Sequence, residues 1–237
     1  MGHLHFPDGF LPFWLWGAGF VVTALITAYV LYRIRHQDTQ KKIPLIGVMA
    51  AVMIVGMSFE IVPLAYHINL AIPVGILLGP GPAFIAALAT NIFLALLGHG
   101  GITTIGLNTL IIGGEAFLGW LFFRIFASKK IDMRIRVFIC SFVALLITHS
   151  VVLFSLAAIM PGSIHAPSSE GKIISFEPFG EKEAPDTSST PTDNAALIRF
   201  LLPLLGLSIL GSILESIIGA LLINYLSTLK PDLIEKA

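Results

Sequence analysis

The sequence is short of charge. Asp, Glu, Lys and Arg make up 12% of its 237 residues, about half the roughly 25% of a soluble globular domain. The two signs cancel to a formal net charge of zero, so no basic footprint for nucleic acid exists. The one cysteine, Cys140, sits inside the apolar run VFICSFVALLI. A single thiol permits neither a disulfide framework nor a thiolate metal cluster, and it is expected to pack as a small apolar side chain. No basic residue precedes the first apolar stretch and no small-residue cleavage site follows it, so the opening is not read as a secretory signal and is expected to be retained. A phosphate-binding Gly-rich loop is missing, as are a His-Glu-x-x-His helix and a paired nucleophile and base. The expectation is therefore a non-enzyme, with any ATP hydrolysis in other subunits.

What the chain has is grease: 56% hydrophobic residues and a mean hydropathy of +0.90. A spanning helix needs about 20 apolar residues, and many such runs occur. The alternating ten-residue segments of an outer-membrane barrel do not. The expected fold is all-α, a polytopic membrane bundle forming a single domain over residues 1–237. Apolar runs and Gly/Pro punctuation predict seven spans at roughly 11–33, 43–63, 70–80, 82–98, 104–127, 134–160 and 196–227. The third is short, ends in LLGPGPAF where Pro80 and Pro82 force a turn, and is expected to enter the bilayer incompletely or to pack tilted.

Orientation follows from the basic residues. Arg33, Arg35, Lys41 and Lys42 lie between the first two spans, Arg124, Lys129, Lys130, Arg134 and Arg136 between the fifth and sixth, and Lys230 and Lys236 after the last. Seven spans put all of them on one side, against Lys172, Lys182 and Arg199 on the other. The basic side is read as cytoplasmic, in a prokaryotic inner membrane, with the N-terminus outside. The same assignment puts His3, His5, His67, His99 and His165 at the outer side, His149 within the sixth span and only His36 inside. Any one of these has an ordinary explanation as a solvated loop residue; five on one face favour a metal. The outer segment 161–195, rich in Pro, Ser and Thr, reads as a flexible connector. Its Glu170, Glu177, Glu181, Glu183, Asp186 and Asp193 would concentrate cations nearby.

The chain opens MGHLHFPDGFLPFWLW. Imidazole suits Zn, Cu, Fe and Ni, and a square-planar nitrogen set points to Cu(II) or Ni(II). A histidine at the second residue of a chain closes two fused chelate rings from the amine, one amide nitrogen and the imidazole, leaving one place for a further imidazole. At the third residue, two amides take part and the terminus fills all four positions. Both arrangements are open here. With Met1 removed, the amine is that of Gly2 and His3 is second; with Met1 retained, His3 is third. Two outer stretches offer the remaining donor. PLAYHINLAIPVG carries His67 and Asn69 between the second and third spans, and LLGHGGITTIGLNTL carries His99 in a Gly-rich turn followed by Asn108. As plain structure, His67 caps a helix and GHGG is a turn.

HFPDGFLPFWLW resembles the amino-terminal signature of the CbiM/NikM family, the substrate-binding membrane components of energy-coupling-factor cobalt and nickel transporters. GILLGPGPAFIAALATNIFLALLGHGGITTIGLNTL is similar to that family's central block. The likeness covers roughly residues 5–115, and beyond it the hydropathy alone matches. It implies a bundle of about seven helices into which the chain start is drawn, binding metal through its amine, the adjoining histidine and a histidine after the second span, here His67. Aligned on Pro7, Asp8 and Gly9, the family's first histidine falls on His5. His3 is nearer the amine, because of a short extension or an inserted Gly2. His3 is assigned to the metal plane and His5 to an axial or supporting place. Glu60, near the outer end of the second span, is read with Asn69, Asn108 and His99 as supporting the ligands.

Glu115 and Glu215, costly in hydrocarbon, are expected to face the bundle interior and hold helices together. Ala24 and Ala28 form a small-xxx-small pair; the plain reading is packing within the chain, and the resemblance implies contact with a transmembrane coupling subunit. It further implies cytoplasmic ATPase subunits and a small accessory membrane protein as partners. Nickel is favoured over cobalt from the all-nitrogen plane, with Cu(II) excluded by availability rather than affinity. The alternative is a self-sufficient secondary transporter or channel, which would show repeated broken helices around a midplane site; only the short segment 70–80 answers to that.

Overall fold

The computed structural model describes residues 11–35, 43–58, 60–61, 66–98, 100–127, 131–159 and 194–230. Among them are seven helices: α1 (Phe13–Arg35), α2 (Ile43–Ser58), α3 (Ala71–Leu78), α4 (Pro80–Leu96), α5 (Ile105–Ile125), α6 (Met133–Ile159) and α7 (Asn194–Leu229). Two short strands, β1 (Glu60–Ile61) and β2 (Tyr66–His67), lie between α2 and α3. The stretches Phe13–Ile34, Ile105–Ile125, Met133–Ser155 and Leu205–Leu229 are long and apolar enough to cross a membrane. α2 and α4 are apolar but shorter, at 16 and 17 residues. α3 has 8, a reach of roughly 12 Å against the about 30 Å of a bilayer core.

Two boundaries differ from the sequence expectation. The second helix stops at Ser58 rather than 63. Ser58 turns its hydroxyl back onto the Ile54 carbonyl at 2.7 Å, a local bond that competes with helix continuation, and the chain then pairs antiparallel with Glu60 opposite His67 and Ile61 opposite Tyr66. An apolar run of this length suits strand and helix equally, so the helix expectation ran on through β1 to 63 and left β2 in the turn that follows. The purely helical expectation is corrected by those four residues. The break between the third and fourth helices falls at Gly79, one residue before the proline pair. Gly79 adopts φ 80°, a left-handed conformation that side chains resist, and its N–H closes α3 onto the Gly75 carbonyl at 2.9 Å. Pro80 does not end a helix but begins one, its fixed φ and missing N–H suiting the first turn of α4.

α5 is the hub, in contact with α1, α3, α4 and α6, while α3 touches α2, α4, α5 and α7. Every residue of α3 is buried. Lipid gives helices little reason to associate through apolarity alone, so close approach and fitted packing hold the bundle together. Gly75 lies directly against the Ala116 backbone, and a Cβ built on Gly106 would stand 2.6 Å from the Phe20 nitrogen of α1. One core cluster gathers Met53, Val74, Ala86 and Ile112; another gathers Ile72, Cys140, Leu145 and Ile223. Cys140 is fully buried, as its apolar surroundings predict.

α1 turns Phe13, Trp14, Leu25, Tyr29 and Tyr32 outward, with aromatics near both ends, as at the two interfaces of a membrane. Ala24 and Ala28 also face outward, so packing within this chain does not use them. Asp132 starts α6 by accepting the Arg134 N–H at 2.8 Å. Arg136 donates to the Phe123 carbonyl and lies 3.6 Å above that residue's ring.

Candidate metal centre

β2 delivers His67. Its backbone stands in register with Glu60 on β1, and its side chain is half-buried between the end of α2 and the start of α3. Three features fix the segment from His67 into α3. Gly56 of α2 leaves room for the Ile68 carbonyl, which would lie 2.9 Å from a Cβ at that position. Leu70 accepts the first α3 bond, from Val74 N–H at 3.1 Å. Between them Asn69, with no exposed surface, turns Oδ1 to the Ala71 N–H at 2.9 Å, satisfying one of the donors that a helix start leaves over.

The other end of the Asn69 side chain reaches across the bundle. Its Nδ2 donates to Oε2 of Glu115, in the middle of α5. The second carboxylate oxygen faces Thr148 of α6, whose hydroxyl is 3.3 Å from Glu115 Oε1 and 3.1 Å from the Ala144 and Leu145 carbonyls. Glu215 of α7 is a neighbouring buried carboxyl group. Beside Thr148 in the chain, His149 Nδ1 is 3.1 Å from Ser212 Oγ, joining α6 to α7. Glu115, Glu215 and His149 are all buried, as expected of ionisable groups kept out of lipid.

Asn108 is buried in the first turn of α5, its Nδ2 donating to Thr104 Oγ1 at 3.3 Å, while that hydroxyl donates to the Gly101 carbonyl at 3.1 Å. Gly98 and Gly100 on either side of position 99 have φ 79° and 89°. Met1, Gly2, His3, His5 and His99 lie outside the described residues, as does 161–193 of the acidic segment; for Glu60 only the backbone is described. Among the described residues no group of three or more His, Cys, Asp or Glu side chains converges as a metal site. The hydropathy reading put Glu115 in the interior but gave no sign of Asn69 as its partner or of Thr148. The signal available was a lone carboxylate in an apolar run.

A bundle of apolar helices that buries two carboxylates and presents a histidine from a hairpin, with four of its described helices long and apolar enough to cross a bilayer, fits an α-helical membrane protein. Two solved structures share the fold. A transition metal transporter superposes with a TM-score of 0.71 at 18% identity, covering 95% of this chain and 93% of that one. A truncated transition metal transporter gives 0.70 at 18%, covering 94% and 98%. The chain belongs to the CbiM family, described as the cobalt uptake substrate-specific transmembrane region, whose profile matches residues 5–233. A CbiM relative from Methanocorpusculum labreanum is 27% identical over 98% of this chain and 93% of its own length. A cobalt transport protein CbiM from Clostridium tetani is 31% identical over 67% of this chain and 68% of its own.

Proposed function

We propose that this chain captures a divalent transition metal at the outer face of a prokaryotic cytoplasmic membrane and presents it to an ATP-driven importer whose coupling and ATPase subunits are other chains. Metal transport is the coarse function that family membership carries. The observation that supports the finer reading is the placement of His67: a half-buried imidazole, at the end of a bundle, on a segment fixed from α2, α3 and α5. In this reading Met1 is removed, the Gly2 amine with the His3 amide nitrogen and imidazole supplies three nitrogens of a plane and His67 the fourth, His5 standing beside it; were Met1 retained, the terminus would fill the plane and the loss of His67 would cost only part of the affinity. Glu60 and His99 are assigned supporting roles from the sequence, and Asn108 holds the turn before α5.

The seven helices cross or enter the bilayer with the cationic junction of α5 and α6 inside, as the basic residues Arg124, Arg134 and Arg136 favour. Nickel is the preferred cargo and cobalt the next, from the nitrogen-rich donor set; the family's description names cobalt, and a direct competition ranks the two. Ala24 and Ala28, outward on α1, are the surface offered to the coupling subunit. Titrating the purified full chain with Ni(II) and Co(II) tests the site. His67→Ala should weaken binding by more than about 100-fold, since groups one bond removed from a metal already cost about 10- to 100-fold. Undiminished affinity in that variant would remove His67 from the site.

A further inference from the structure

We propose that Glu115 is a positioning residue for metal capture, acting through Asn69 to hold the His67 segment in its binding geometry. The inference rests on the reading of His67 as a ligand and adds to it a residue of another helix, remote in sequence, that does not itself touch the metal. The connection is short and continuous. Asn69 follows His67 by two residues and has a side chain with two jobs. Oδ1 starts α3 through the Ala71 N–H, and Nδ2 ends on Glu115 Oε2. Glu115 is itself held by Thr148 through its other oxygen, and Thr148 is anchored to the α6 backbone.

The segment between β2 and α3 has no regular hydrogen-bond ladder of its own. A square-planar ion tolerates little error in the direction of an imidazole nitrogen, and the partners that orient a ligand are worth about 10- to 100-fold in affinity. Helix capping alone would need only Oδ1. The Nδ2 bond adds nothing to the cap; it sets where the segment stands relative to α5 and α6. The hydrogen-bond pattern required at position 115 is one acceptor toward Asn69 and one group able to meet the Thr148 hydroxyl. A glutamine meets both, its carbonyl toward Asn69 and its amide toward Thr148 Oγ1.

The test uses the full chain in detergent, titrated with nickel chloride and followed by the ligand-field absorption of the bound ion. Glu115→Ala should lower affinity about 10- to 100-fold and shift that absorption, with helix content by circular dichroism unchanged. Glu115→Gln should return both to near wild type. Asn69→Ser keeps a hydroxyl to cap Ala71 but cannot reach Glu115, so it should reproduce the loss and the shift; it carries the test if Glu115→Ala does not fold. His67→Ala is measured alongside. If His67→Ala loses binding while Asn69→Ser keeps wild-type affinity and spectrum, the positioning role is overturned and the ligand stands. A Glu115→Gln protein as impaired as a folded Glu115→Ala also overturns it, because the role is one of geometry. Full binding by His67→Ala overturns the ligand and the positioning role together.

Discussion

A ligand imidazole must be neutral to give its lone pair to a metal, so under the proposed function protons should compete with nickel at His67. An ordinary imidazole takes up its proton near pH 6.5. Below that the charged ring is favoured and binding weakens; above it the full affinity is present. Nickel occupancy of the purified chain should therefore fall between about pH 7.5 and 5, and equilibrium dialysis across that range is the measurement. A flat profile would point to donors other than histidine. The amino terminus predicts a second outcome at this scale. Acetylating the mature amine removes its lone pair without touching apolar packing, so it should abolish tight binding and leave the helices folded. His67 and the terminal histidines were visible as candidates in the sequence because metal-binding side chains are rare in so apolar a chain. Asn69 was readable as a support for the ligands and Glu115 as an interior residue joining helices, but the contact between them was not. They lie 46 positions apart, and hydropathy carries no record of which helices touch.

The elements were legible where apolarity was continuous and misread where it was not the deciding force. α1, α5, α6 and α7 fall within a few residues of the runs that predict them, because length and composition alone define a span. The hairpin after α2 was missed: the apolar pattern puts Glu60 and Ile61 in the second span, and Tyr66 and His67 in the turn after it. The α3–α4 break was placed on the prolines, although a left-handed Gly79 makes the turn and Pro80 merely starts α4. Two glycines give a paired test of helix packing. Gly75→Ala drives a Cβ into the Ala116 backbone and should destabilise the bundle by about 1–3 kcal/mol. Gly114→Ala on α5 meets nothing within 4 Å and should be neutral or stabilising by up to about 1 kcal/mol, the helix preference for alanine. Unfolding of the two variants in detergent gives the comparison, and equal stabilities would refute the close α3–α5 crossing. On α1, Ala24→Leu with Ala28→Leu should leave nickel binding intact while lowering ATP-driven uptake in the presence of the partner subunits, a split that transport assays can read directly.

For the whole molecule, the proposed function assigns capture and movement to different chains. Purified protein in liposomes should retain nickel without accumulating it when ATP is supplied, and accumulation by this chain alone would favour the alternative, a self-sufficient transporter. The eight-residue α3 bears on how such a molecule comes into being. It is too short to be inserted as a span in its own right, every one of its residues is covered, and one of the helices covering it is α7. The covering of α3 is therefore complete only once α7 has docked: a segment made early waits for a helix made late. A nascent chain halted after α6 should sit in the membrane with its longer helices in place and yet lack nickel affinity, which should arrive only when α7 has been made and docks.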